Sequence, residues 1–206
     1  MPTPKERISG LVLRVDRAPV DTDLLCPARF CKRITKVGYD DALFADWRSS
    51  PDCPLNSPHA KCAKVLVARG AFGIGSSREH AVWALRDFGI EAVVAPEFGD
   101  IFAANCVVNG LLPIRVDITV IVSLMMGDVA LAVDVDIKNE TLTSGLEEFQ
   151  FELDHVTSER FLRGWDMIDA TLSHDEEITE FEGRRPAWMP VVSSPAILSQ
   201  GKPLEI

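Results

Sequence analysis

The sequence predicts an α/β fold with a mixed sheet, a βαβαβ core and flanking helices, and three observations carry that prediction. Between residues 64 and 116, short β-branched or aliphatic runs alternate with segments of helical periodicity, the pattern of parallel strands joined by right-handed crossovers. Residues 131–136 and 141–153 read instead as strands about a turn at Lys138-Asn139, a smaller antiparallel piece. At the first strand–helix junction lies a glycine-rich turn, with glycines at 70, 73 and 75. Ligands of such folds sit off the carboxyl ends of the strands, where this turn must lie.

The elements follow in order. A strand over 10–14 leads into a turn-rich loop over 16–23. Residues 28–36 gather Arg29, Lys32, Arg33 and Lys36 at helical spacing, and a solvated helix face is the bland account of such a run. Residues 43–58, rich in Pro, Ser, Asn and Asp, read as an irregular excursion. Then come a strand at 64–68, a helix near 77–88, a strand at 91–95, a helix near 98–109 and a strand at 111–116. Gly89 and Gly110 fit the positions just past the two helix ends, and Pro113 marks an edge or the start of its strand. Residues 117–126 are β-branched like a strand. Thr157 is placed to cap a helix through Arg163, Asp166 one through Leu172, and 174–182 begins acidic, as helices prefer. Residues 1–185 read as one α/β domain, and 186–206 as a proline-punctuated tail that is extended, docked on a partner or partly disordered.

Composition narrows the function. At 206 residues, with 47% hydrophobic and 25% charged side chains, the chain has the balance of an ordinary soluble globular protein. Its formal net charge of −10 argues against nucleic acid or an anionic membrane as a partner. The first nine residues lack the apolar centre of a secretory signal, and no run reaches the roughly 20 apolar residues of a membrane span. The five cysteines, at 26, 31, 53, 62 and 106, are odd in number and irregularly spaced, which implies free thiols in a reducing compartment. Cys53, His59 and Cys62 lie close together, but no second pair with ligand spacing follows, so no metal site is expected. Nor are there the closely spaced cysteines of an iron–sulfur site. Together these place the chain in the cytoplasm.

The chemistry concentrates in residues 69–89. Ser76 and Glu79 stand three apart as a capping box, so the helix is expected to open at Ser77. A helix start exposes unpaired N–H groups at the positive end of its dipole, and Gly73 and Gly75 let a ligand approach the backbone. Ser76, Ser77 and Arg78 add two hydroxyls and a planar cationic fork suited to a carboxylate. A P-loop would need Lys before Ser or Thr, a dinucleotide fingerprint Gly-x-Gly-x-x-Gly, and a nucleophile elbow Gly-x-Ser-x-Gly; none fits. Local physics leaves two readings open, an anion pocket or a well-capped helix with no ligand. Asp21, Thr22 and Asp23 likewise read, by themselves, as surface acidity.

The block Gly73-Ile74-Gly75-Ser76-Ser77-Arg78-Glu79-His80-Ala81 resembles the signature of the swivelling domain of the aconitase family, and in particular the small subunits of 3-isopropylmalate dehydratase. Val20-Asp21-Thr22-Asp23, Leu43-Phe44-Ala45-Asp46-Trp47-Arg48, the stretch from Pro96 to Phe102 with Asn105-Cys106 and Asn109 to Ile114, and Phe161 to Asp166 with Thr171-Leu172 are similar in turn, in the right order. Ile74 stands where these subunits often have Cys, and Val82 where they often have Pro; neither side chain carries chemistry.

The resemblance implies a mixed sheet or partly open barrel, with a helix at 117–126. It implies a hydro-lyase that isomerises 2-isopropylmalate and 3-isopropylmalate by dehydration and rehydration in leucine biosynthesis. Ser76 would be the base, Ser77 and Arg78 would bind a substrate carboxylate, and Asp23 would orient or balance charged groups beside them. The basic patch of Arg29, Lys32 and Arg33 would meet a substrate carboxylate or the partner. The four-iron four-sulfur cluster would sit on a large catalytic subunit, leaving this chain without a cofactor of its own. Two alternatives remain at this level: a sister dehydratase of the citraconate, 2,3-dimethylmalate or homoaconitate type, and a non-catalytic carboxylate-binding module.

Overall fold

The computed structural model describes residues 3–128, 130–186 and 188–189. Its contacts divide the chain into two units, Met1–Met167 and Ile168–Ile206. The first unit holds β1 (Arg7–Val15), β2 (Val20–Asp21), α1 (Thr22–Leu25), β3 (Ala63–Ala68), β4 (Phe72–Ile74), α2 (His80–Phe88), β5 (Ala92–Ala95), α3 (Asp100–Val108), β6 (Leu112–Arg115), α4 (Ile118–Met126), β7 (Ala132–Asp136), β8 (Thr141–Ser144), β9 (Glu147–Gln150) and α5 (His155–Arg163). At the boundary α6 (Met167–Leu172) begins, and α7 (Asp175–Gly183) lies in the second unit.

Seven strands make one mixed sheet in the order β6-β5-β3-β1-β7-β8-β9. The β1–β3, β3–β5 and β5–β6 pairs are parallel, and β1–β7, β7–β8 and β8–β9 are antiparallel. This is the α/β fold with a βαβαβ core that the alternation over 64–116 predicts. From Val65 to Ala68 strand β3 is an unbroken apolar run because both of its faces are covered there. Side chains alternate along it, so Leu66 and Ala68 join the cluster containing Ala84 and Leu85 of α2, while Val65 and Val67 join Ile121 and Leu124 of α4 on the opposite face.

Helix α2 buries Ala81, Ala84, Leu85 and Phe88, the residues whose spacing predicts it. It ends where Gly89 takes φ +112°, a left-handed conformation cheap only for glycine. Residues 117–126 form α4 despite their β-branched content. Asp117 caps its start by accepting from the Thr119 amide at 2.8 Å, and Arg14 Nε donates to the Leu124 carbonyl near its end at 2.8 Å. Tertiary burial of Ile121 and Leu124 outweighs the small propensity cost of the branched residues.

Three expectations are corrected. The basic stretch 28–36 is not a helix: only a 3-10 turn, Ala28–Lys32, forms, and the chain after it is irregular. Residues 141–153 are not one strand but the β8–β9 hairpin, folded at Gly145 with φ +61°. Helix α5 begins at His155 and is capped by Asp154, whose carboxylate accepts from the Thr157 amide at 2.9 Å and the Thr157 hydroxyl at 2.6 Å. Thr157 is therefore the capped residue and not the cap. Most of 186–206, the expected tail, lies outside the described residues. No helix among the described residues is long and apolar enough to cross a membrane.

Candidate active site

The parallel β2–β4 ribbon stands apart from the main sheet and sets Val20 opposite Phe72 and Asp21 opposite Ile74. That register carries the two chains forward together, so Thr22 and Asp23 emerge beside Gly75 and Ser76. Asp21 caps the short α1 by accepting from the Leu24 amide at 2.7 Å. Two loops that are 54 residues apart in sequence thereby meet at one site.

The two glycines of β4 and the following loop serve different ends. At Gly73, with φ +69°, a Cβ would stand 2.1 Å from Cγ of the buried Phe102 ring, so only glycine fits between the loop and α3. At Gly75, with φ +96°, the nearest atoms to a Cβ would be 3.8 Å away, on Asp21 and Thr22. There the constraint is the backbone conformation alone.

Ser76, Ser77 and Arg78 lie ahead of the helix and not within its first turn. Helix α2 begins at His80, and its N-cap residue Glu79 makes no side-chain capping bond. The capping box is thus not formed. The Glu79 carboxylate instead accepts from Asn109 Nδ2 at 2.9 Å, and Asn109 Oδ1 accepts from Trp83 Nε1 at 3.0 Å. The Ser76 hydroxyl lies 3.0 Å from Thr22 Oγ1, which also accepts the Ser76 amide N–H at 3.3 Å. Thr22, 1% exposed, is a contact that sequence reasoning misses, and the only local signal for it is its place between Asp21 and Asp23.

Ser76 and Ser77 are exposed, and the Ser77 carbonyl accepts from Asn105 Nδ2 at 3.4 Å. Arg78 is half-buried, with Nη1 2.5 Å from Asp23 Oδ1. Nη1 is shielded from solvent, and the Asp23 carboxylate is its ion-pair partner. The Asp23 carboxylate holds the guanidinium pKa above its ordinary value. The ion pair orients a planar fork that has donors besides Nη1 to offer a carboxylate. The structure thus brings Asp23, Ser76, Ser77 and Arg78 into one open face. A cavity of about 930 Å³, walled in part by Phe98, Val107, Arg115, Phe151 and Arg160, has none of these four on its walls.

The basic stretch is arranged differently. Arg29 forks onto Asp46 at 3.0 and 2.6 Å, and Arg33 forks onto Asp41 at 2.7 Å twice, each guanidinium pKa being raised by its carboxylate. Lys32 is exposed. Arg33 also lies 5.3 Å from the centre of the buried Tyr39 ring, and the Tyr39 amide donates to Asp87 of α2 at 2.8 Å, so this loop is tied to the helix that follows the site.

The cysteines do not gather. Burial pushes the Cys26 thiol up to about 11 and raises Cys53 and Cys106 as well, which keeps them protonated and poor metal ligands at neutral pH. Among the described residues no group of three or more His, Cys, Asp or Glu is placed to hold a metal ion. The described residues therefore offer no ligand set for a four-iron four-sulfur cluster.

Residues 4–118 match the family model described as the aconitase C-terminal domain, and residues 167–191 match the model for the C-terminal domain of 3-isopropylmalate dehydratase small subunits. A 3-isopropylmalate dehydratase small subunit from Kocuria rhizophila is 44% identical over 184 residues, covering 88% of this chain and 92% of the relative. One from Halalkalibacterium halodurans is 42% identical over 192 residues, covering 88% and 98%. In fold, the chain is similar to the crystal structure of 3-isopropylmalate dehydratase (leuD) from Methanocaldococcus jannaschii, with a TM-score of 0.62 and 24% identity, covering 86% of this chain and 99% of the other. An α/β fold of the aconitase C-terminal type, with its serine–serine–arginine loop set against a Thr-Asp turn, and relatives matched along nearly their whole length leave one assignment: the chain belongs to the family of 3-isopropylmalate dehydratase small subunits.

Proposed function

We propose that this chain is the small subunit of a heteromeric 3-isopropylmalate dehydratase, a hydro-lyase that interconverts 2-isopropylmalate and 3-isopropylmalate in leucine biosynthesis, and that it works in the cytoplasm only when joined to a large subunit. The observation that supports the reading is the exposed Ser76 hydroxyl, 3.0 Å from Thr22 Oγ1, in the same loop as an Arg78 guanidinium oriented by Asp23. Dehydration of a hydroxy diacid requires that a proton leave a carbon next to a carboxylate. Arg78 takes a substrate carboxylate through its guanidinium, and Ser77 helps to set its position. The Ser76 oxygen, as an alkoxide, accepts the proton, the C–H electron pair spreads into the adjacent carboxylate and then forms the C=C bond, and the hydroxyl on the neighbouring carbon departs with its C–O electron pair. Asp23 fixes the guanidinium and balances its charge. Arg29, Lys32 and Arg33 face a substrate carboxylate or the large subunit.

The four-iron four-sulfur cluster is assigned to the large subunit, whose surface also covers the exposed Ser76 and Ser77. A net charge of −10 and the lack of a long apolar helix among the described residues favour a small diacid over nucleic acid or membrane. The test is reconstitution. The chain alone should not turn over 2-isopropylmalate, its mixture with the large subunit should, and a panel with citraconate, 2,3-dimethylmalate and homoaconitate should show isopropylmalate as the preferred acid. Full turnover by the chain alone, or preference for another acid, contradicts the reading.

A further inference from the structure

Helix α2 starts at His80, four positions beyond Ser76, and the field of a helix end fades within its first turn. A serine oxygen that must carry negative charge therefore needs a donor nearer than the helix. Thr22 Oγ1 is 3.0 Å from Ser76 Oγ and accepts the Ser76 amide N–H at 3.3 Å. That bond uses a lone pair of the threonine oxygen and leaves its single proton to be given away. The hydroxyl is buried, so water does not compete for the proton. With Ser76 neutral, either hydroxyl can be the donor across the 3.0 Å contact; with Ser76 ionised, only Thr22 can be.

We propose that Thr22 is a positioning residue that donates its hydroxyl hydrogen bond to the ionised Ser76 oxygen and, through the Ser76 amide, fixes the rotamer from which that oxygen meets substrate. This inference rests on the reading of Ser76 as the base. In the step itself the substrate proton moves to Ser76 Oγ, the C–H electrons remain on carbon, and the Thr22 proton stays on Thr22. The hydrogen bond shortens while the charge is on Ser76 and relaxes once it is neutralised. The donor thus favours ionisation of Ser76 without entering the proton count.

The experiment uses the chain reconstituted with its large subunit and the variants Thr22→Val, Thr22→Ala and Thr22→Ser, with Ser76→Ala alongside and folding checked by circular dichroism. Loss of a hydrogen bond to a charged group lowers kcat about 10–100-fold. Valine and alanine should do so with KM within about twofold, and the acid limb of the kcat–pH profile should move to higher pH because ionisation of Ser76 becomes harder. Serine, which keeps the oxygen and drops the methyl, should restore both rate and profile. A folded valine or alanine variant with unchanged kcat and profile overturns the inference, as does a serine variant impaired like valine. If Ser76→Ala is inactive while Thr22→Val is normal, only the role of Thr22 falls; if Ser76→Ala turns over normally, the reading of the base falls with it.

Discussion

Arg78 Nη1 and Asp23 Oδ1 stand 2.5 Å apart, an ion pair in which Nη1 sees no solvent and the carboxylate raises the guanidinium pKa. A guanidinium held in this way has its other donors set in a fixed plane, and that fork can meet a carboxylate at two points. Replacing Arg78 by Lys preserves the charge and discards the fork. We expect KM of the reconstituted complex to rise about 10–100-fold with a smaller fall in kcat, in line with losing one charge-assisted bond. Initial-rate kinetics over a range of 2-isopropylmalate concentrations check this, and an unchanged KM would remove Arg78 from substrate binding.

Lys32 and Arg33 of the basic stretch should separate in their effects. Arg29 and Arg33 are engaged by Asp46 and Asp41, whereas Lys32 is exposed. Lys32→Ala should weaken association with the large subunit or with substrate, by an amount that shrinks as salt is raised, and should leave the melting temperature unchanged. Arg33→Ala, which also removes the guanidinium set over Tyr39, should instead loosen the loop and increase its cleavage by protease. Titration of the subunits at low and high salt, with limited proteolysis, distinguishes the two.

Gly73→Ala should cost stability twice over, through a Cβ 2.1 Å from the Phe102 ring and through a left-handed backbone. Overpacking and the left-handed conformation together suggest a loss of about 2–4 kcal/mol. Gly75→Ala meets no atom nearer than 3.8 Å and should lose only the conformational part, about 1–2 kcal/mol. Urea unfolding of the chain measures both, and equal losses would contradict the packing account.

The cap of α5 should give acid sensitivity of known sign. Hydrogen bonds from the Thr157 hydroxyl and amide hold the Asp154 carboxyl below the ordinary carboxylate value. A depressed folded pKa means that the stabilisation is whole above the unfolded value of about 3.9 and is lost as pH falls through the folded value. Asp154→Ala should therefore cost about 1 kcal/mol at neutral pH and progressively less below about pH 4. Unfolding midpoints at neutral pH and near pH ~3.5 check this; a difference that grows on acidification would contradict it.

The βαβαβ core was legible because β3, α2, β5, α3 and β6 each announce themselves within a local window, by an unbroken apolar run or by apolar residues at helical spacing closed with glycine. What failed was local chemistry overridden from a distance. Ser76 and Glu79 have the spacing of a capping box, but Thr22 engages the serine across 54 residues and Asn109 engages the glutamate across 30. The same reach hid Thr22, since nothing within its own stretch points to Ser76. The single strand expected over 141–153 failed because Phe149 and Phe151 continue the apolar reading past the turn at Gly145. Residues 117–126 are ambiguous in the sequence, β-branched like a strand yet where the resembling family has a helix, and burial of Ile121 and Leu124 decides for the helix.

The central claim is that the Ser76 oxygen takes the substrate proton. Its most direct measurement is the single-turnover rate of the Ser76→Ala chain reconstituted with the large subunit, together with substrate affinity in the same complex. The account predicts normal assembly, affinity within a few-fold of the parent and a rate lower by about 100-fold or more, the scale expected when a general base is removed. A rate within a few-fold of the parent would contradict it.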